Sequence, residues 1–70
     1  MRSYGRLAMS RRVMINLTSG DAIEGVLWDE RNPLIVVRDA RLHSSDSAPV
    51  PLDGEVVIER DRIKFMQVLS

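Results

Sequence analysis

Apolar and polar positions begin to alternate at Arg12, where Val13, Ile15 and Leu17 interleave with Met14, Asn16 and Thr18. That period of two predicts a half-buried strand. Ser19-Gly20-Asp21 follows with hairpin chemistry, because Gly20 accepts the positive φ of a tight turn. In a second strand Ile23, Gly25 and Leu27 share one face and Glu24, Val26 and Trp28 the other. Asp29 to Pro33 breaks the alternation, and Pro33 removes a ladder donor, which predicts a second turn. Residues 34–37 (Leu-Ile-Val-Val) are apolar on both faces, and the strand runs on to Leu42. Residues 43–54, punctuated by Pro49, Pro51 and Gly54, predict the longest loop. Residues 55–59 and 62–69 predict the last two strands, parted only by Arg60 and Asp61, a break that suits a sharp corner.

Five short strands without a long helical repeat predict an all-β fold, a small five-stranded, strongly bent antiparallel barrel over residues 12–70. Residues 1–11 form an N-terminal arm that is free, a short helix, or ordered against a partner. A glycine inside a strand weakens it unless it relieves a bend, a bulge or a close backbone approach. Gly25 is assigned that role, and Gly20 the hairpin turn.

Composition narrows the class. Seventy residues with 44% hydrophobic and 29% charged side chains make one globular domain near the lower size limit for a self-sufficient core. The chain has no cysteine, so neither a disulfide nor a thiolate metal site supplements that core. Ten basic residues balance ten acidic ones, which argues against whole-molecule attraction to nucleic acid or an anionic membrane. No run reaches the length of about 20 apolar residues that spans a bilayer. The opening residues lack the continuous apolar stretch of a secretory signal. A cytoplasmic location is expected, and the Asn16-Leu17-Thr18 sequon is read as strand.

The segment from Val13 to Trp28, with its turn glycine Gly20, apolar Ile23 and bend glycine Gly25, resembles the first motif of the Sm and Sm-like family. Residues 34–40 resemble the strand that closes that motif, and residues 54–69 are similar to the second motif. The match covers about residues 12–69. It implies a homo-oligomeric ring in which the fourth strand of one subunit (Glu55–Glu59) pairs with the fifth of the next (Arg62–Leu69). Val56, Ile58, Met66 and Val68 are then the interface positions, alternating with Val57, Phe65 and Leu69 in the core, while Ile63 suits either face. Apolar residues on both faces of edge strands are hard to satisfy in a small monomer, which favours association.

Many members of that family bind single-stranded, often U-rich RNA. The resemblance implies RNA contacts at Asn32, with Asp29 as its acidic companion, and at Arg60 and Arg62. Here Ile58-Glu59-Arg60-Asp61 stands where the family has an arginine-glycine pair, and two carboxylates flank Arg60. The compact, arginine-rich, cysteine-free chain also looks like small accessory proteins of tailed bacteriophages. That likeness implies a virion setting, in capsid or connector, with the arm residues Arg2, Tyr4, Arg6 and Arg11 along a neighbouring structural protein.

Other candidates carry less. Trp28 suits a core or interface anchor better than a base-stacking platform. His43-Ser44-Ser45-Asp46-Ser47 holds the letters of a hydrolase triad, but adjacent loop residues lack the scaffold that a triad needs. His43 and Asp46 are too few ligands for a stable metal site. The expectation is therefore a non-enzymatic module without cofactor or membrane contact. Its partners are further copies of itself and another structural protein, and RNA binding is the alternative.

Overall fold

The computed structural model describes residues 4–70. The hairpin predicted from the first alternation is present as β1 (Arg12–Leu17) and β2 (Ala22–Arg31). Its turn carries Gly20 at φ +99°, and Leu17 N–H donates to the Asp21 carbonyl at 2.9 Å. β2 continues through Asp29, Glu30 and Arg31, so the expected break contracts to Asn32-Pro33 before β3 (Leu34–His43). β4 (Val50–Leu52) and β5 (Val56–Glu59) follow. A single 3-10 turn, Arg60–Arg62, leads into β6 (Ile63–Val68). Before β1 lies one turn of helix, α1 (Gly5–Ala8), which puts the short-helix form on the arm; Arg2 lies outside the described residues.

The strands form one antiparallel sheet in the order β4-β3-β2-β1-β6, with β5 also paired to β3. The expected closed barrel of five strands is corrected to an open sheet of six. The extra strand comes from the predicted loop, where Leu52 lies opposite Ala40 and Val50 opposite Leu42. Pro51 is tolerated because β4 is a sheet edge, with no outward ladder bond to lose. β4 and β5 are two halves of one lane along β3, since Val56 and Ile58 lie opposite Val37 and Ile35. Asp53, Gly54 (φ +73°) and Glu55 interrupt that lane. The sheet stays open because β5 is only four residues long and the 3-10 turn redirects the chain at once. Among the described residues β5 pairs only with β3, and β6 only with β1.

Three irregularities shape the sheet, and each shifts which side chains face inward. Gly25 lies opposite two residues, Asp39 and Ala40, because the register steps from Glu24↔Arg41 to Val26↔Arg38. Asp39 adopts φ +49° there. A Cβ at Gly25 would sit 2.9 Å from the Arg38 carbonyl oxygen and 3.3 Å from Ala40 Cα. Close backbone approach at a bulge is thus why this strand carries a glycine. Trp28 is the extra residue of a second bulge, between Leu27↔Val37 and Asp29↔Val36. Lys64 is the extra residue of a third, since Phe65 pairs with Asn16 but Ile63 with Leu17.

One apolar cluster fills the concave face. Val13, Ile15, Leu27, Ile35 and Val37 are fully enclosed, and Ala8, Ile23, Ala40, Ile58 and Ile63 complete the buried set. The expected core positions of the last strands are corrected: Val57, Phe65 and Leu69 are exposed. Their registers explain it. Val57 pairs with Val36 on the outer face of β3, and Phe65 with Asn16 on the outer face of β1.

Candidate interaction surface

Among the described residues the open sheet leaves two edges, the outer side of the β4–β5 lane and the outer side of β6. An unpaired edge presents backbone N–H and C=O groups that readily accept another strand. Next to these edges lie apolar side chains in water: Val57 is 57% exposed, Phe65 48% and Val68 40%. Of the side chains expected at the interface, Ile58 is buried in the core and Val56 and Met66 pack partly buried against it. Met66 faces inward because it pairs with Ile15. Val68 alone of the four is exposed, so Val56, Ile58 and Met66 can offer a second strand mainly their backbone. A cleft of 320 Å³ opens beside β5, between Val57, Glu59 and Arg62 on one side and Leu17 and Thr18 on the other. Thr18 N–H donates to the Arg62 carbonyl at 2.8 Å and pins the corner there.

The other end of that corner is a charged latch. The Glu30 carboxylate accepts from Tyr4 N–H at 3.0 Å and Gly5 N–H at 2.8 Å, and Arg60 Nη1 donates to it at 3.1 Å. The Arg60 guanidinium also stacks on the Tyr4 ring, 4.7 Å from its centre, and Arg60 N–H donates to the Pro33 carbonyl. Glu30 is 8% exposed, paired and fully hydrogen-bonded, the condition under which a carboxylate tolerates burial. Strict alternation from Leu27 puts Glu30 on the outer face with Glu24 and Val26. The Trp28 bulge reverses that parity and sets it opposite Ile35, on the core side. No local feature of the sequence signals that reversal.

Asn32 and Arg60, two of the three expected RNA contacts, line one cleft of 450 Å³ with Tyr4, Pro33, Glu59 and Asp61. Arg62 lines the other cleft, beside β5. Arg60 is engaged by Glu30 and Tyr4, and two further carboxylates share the cleft, so its charge is compensated within the protomer. Asp29, the expected companion of Asn32, pairs with Arg31 at 3.1 Å and lies outside the cleft lining.

The arm residues divide similarly. Tyr4 is held by the latch, and Arg11 donates to the Ser70 and Leu7 carbonyls, tying the two ends of the described chain together. Arg6 is exposed. Trp28 is half-exposed, with the Arg38 guanidinium 3.9 Å above its ring centre. Arg38 Nε in turn donates to Glu55 at 2.8 Å, so an arginine already occupies a face of the indole.

His43 is drawn to Glu24 rather than to its serine and aspartate neighbours: Nε2 lies 2.9 Å from Glu24 Oε1, and Arg12 Nη1 lies 3.4 Å from Oε2. The hydrogen bond to His43 is the main cause that lowers the Glu24 pKa below its ordinary 4.5; Arg12 and Arg41 add to it, while desolvation works against it. Among the described residues no group of three or more His, Cys, Asp or Glu side chains is placed to hold a metal. No described helix is long and apolar enough to cross a membrane. No family model matches the chain, and no curated protein matches it.

Proposed function

We propose that the protein is a non-enzymatic interaction module that self-associates through its two open strand edges, β5 of one copy adding to β6 of the next. One observation carries this: among the described residues a single sheet ends in two unpaired edges, each flanked by exposed apolar side chains, Val57 on β5 and Phe65 and Val68 on β6. Edge addition gives affinity through main-chain hydrogen bonds and specificity through the side chains beside them. The same module docks on a larger structural assembly, a virion capsid or connector, with Arg6 and neighbouring arm residues toward the partner.

The test is mass in solution, with Val57→Lys and Phe65→Lys as edge variants. Both positions are exposed, so each lysine leaves the protomer fold intact while placing a charge beside the edge. The unsubstituted 70-residue protein is expected at a multiple of 7.9 kDa and the double variant at one copy. An unchanged mass in the variant overturns the edge assignment.

RNA binding is the second reading, favoured by one observation, the convergence of Asn32 and Arg60 on a single cleft. Titration with U-rich RNA across a salt series separates the two, because phosphate contacts impose a steep salt slope. Tight, salt-sensitive binding that Arg60→Ala abolishes establishes the RNA reading.

A further inference from the structure

The latch holds a segment that is joined to the sheet by one strained residue. Ser10, between α1 and β1, adopts φ +64°, a left-handed backbone that is costly for any residue with a Cβ. The turn is held by Ser10 N–H donating to the Leu27 carbonyl at 2.8 Å and Arg11 N–H to the Ala8 carbonyl at 3.0 Å. Among the described residues the arm is seated by the Ala8 side chain in the core, the Tyr4 and Gly5 amides on Glu30, and the Tyr4 ring under Arg60. Leu7 and Met9 stay exposed. A short, strained hinge beside a compact docking element is the arrangement that favours exchange between identical chains.

We propose that residues 4–8 exchange between copies, the arm of one protomer seating on Glu30 and Arg60 of a second while Ser10 relaxes to an extended backbone. The exchanged arm keeps the contacts of Tyr4, Gly5 and Ala8 with the socket and gives up those that cross the hinge, from Ser10 to Leu27 and from Arg11 to Ala8 and Leu7, so the two forms differ at the hinge and in the entropy of association. Three hinge residues, Met9 to Arg11, span at most about 10 Å. The acceptor must therefore sit beside the donor, with its socket near the donor's own. The socket lies at the Arg60 corner that joins β5 to β6, so a neighbour along either edge is well placed. Exchange rests on the edge pairing proposed above, which brings two copies side by side.

Two variants of the 70-residue chain separate arm from socket. Glu30→Ala keeps an intact arm and breaks the socket; Ala8→Glu keeps the socket and prevents its own arm from seating, since Ala8 is 1% exposed. Trypsin cleavage after Arg6 reports arm release, and isotopic labelling of the Glu30→Ala protein identifies whose arm is cut. Alone, labelled Glu30→Ala is expected to be cut about 10-fold faster than the unsubstituted protein, because cleavage follows local opening. An excess of unlabelled Ala8→Glu is expected to restore most of that protection in trans. Edge pairing by itself gives association without protection, so the two proposals fail separately. Labelled Glu30→Ala cut at the same rate with and without its partner overturns arm exchange. If Glu30→Ala loses its β-sheet circular dichroism, Glu30→Gln replaces it in the same mixture. Independently, Ser10→Pro cannot adopt positive φ and lacks the N–H given to Leu27, so it must shift the protein toward the exchanged dimer. A Ser10→Pro protein that remains a single copy, its arm protected or cut, also counts against exchange.

Discussion

Replacing Gly25 with alanine tests the bulge that lets β2 and β3 bend together. Two effects oppose each other. Alanine reduces the freedom of the unfolded chain, which alone stabilises by about 0.4–1 kcal/mol where the backbone is compatible. Here the added methyl would stand 2.9 Å from the Arg38 carbonyl oxygen and 3.3 Å from Ala40 Cα, both backbone atoms that no rotamer change can move. Overpacking of this kind costs about 1–3 kcal/mol. The steric cost wins, and a net loss of about 1–2 kcal/mol is expected. For a domain of this size each kcal/mol lowers Tm by about 4–8 °C, and total stability is itself only of order 3–10 kcal/mol. Urea unfolding at fixed protein concentration, followed by Trp28 fluorescence and far-UV circular dichroism, reads the change. The midpoint should fall with the slope unchanged, because the surface exposed on unfolding is the same. A Gly25→Ala protein as stable as the parent, or more so, refutes the close approach as the reason for this glycine.

Further outcomes follow from other sites. Gly20→Ala meets no atom within 4 Å, so its cost, about 1–2 kcal/mol, comes from φ +99°, and the urea midpoint should fall by the corresponding amount. Because the Glu24 pKa is lowered in the folded protein, its contribution is present above pH 4.5 and lost as pH falls through the folded value; Glu24→Gln should flatten that acid limb in pH-dependent urea unfolding. Arg38→Ala uncovers the indole that its guanidinium caps at 3.9 Å, so acrylamide quenching of Trp28 should rise while the far-UV spectrum is kept.

Much of the sheet is legible in the sequence because simple alternation is strong where strands are regular. Val13 and Ile15, then Ile23 and Leu27, are buried where their period of two puts them. Gly20 and Gly25 carry their roles in the residue type itself, since only glycine tolerates the turn at one and the contact at the other. The reading fails where one extra residue changes parity. The Trp28 bulge turns Glu30 toward the core, and the Lys64 bulge lets Ile63 and Met66 both face inward three positions apart. Val57 and Phe65 escape the pattern: both strands are apolar on both faces, so alternation alone cannot orient them, and only pairing with Val36 and Asn16 does. The latch was illegible for a related reason. Tyr4, Glu30 and Arg60 are far apart in the chain, and nothing local links an arm, a strand end and a corner.

Sedimentation of the unmodified protein from dilute to concentrated solution, beside the Val57→Lys/Phe65→Lys variant, tests the central claim most directly. The edge-strand account predicts a multiple of 7.9 kDa that the variant cannot form. A single copy at every concentration, or an assembly that both lysines leave intact, contradicts it.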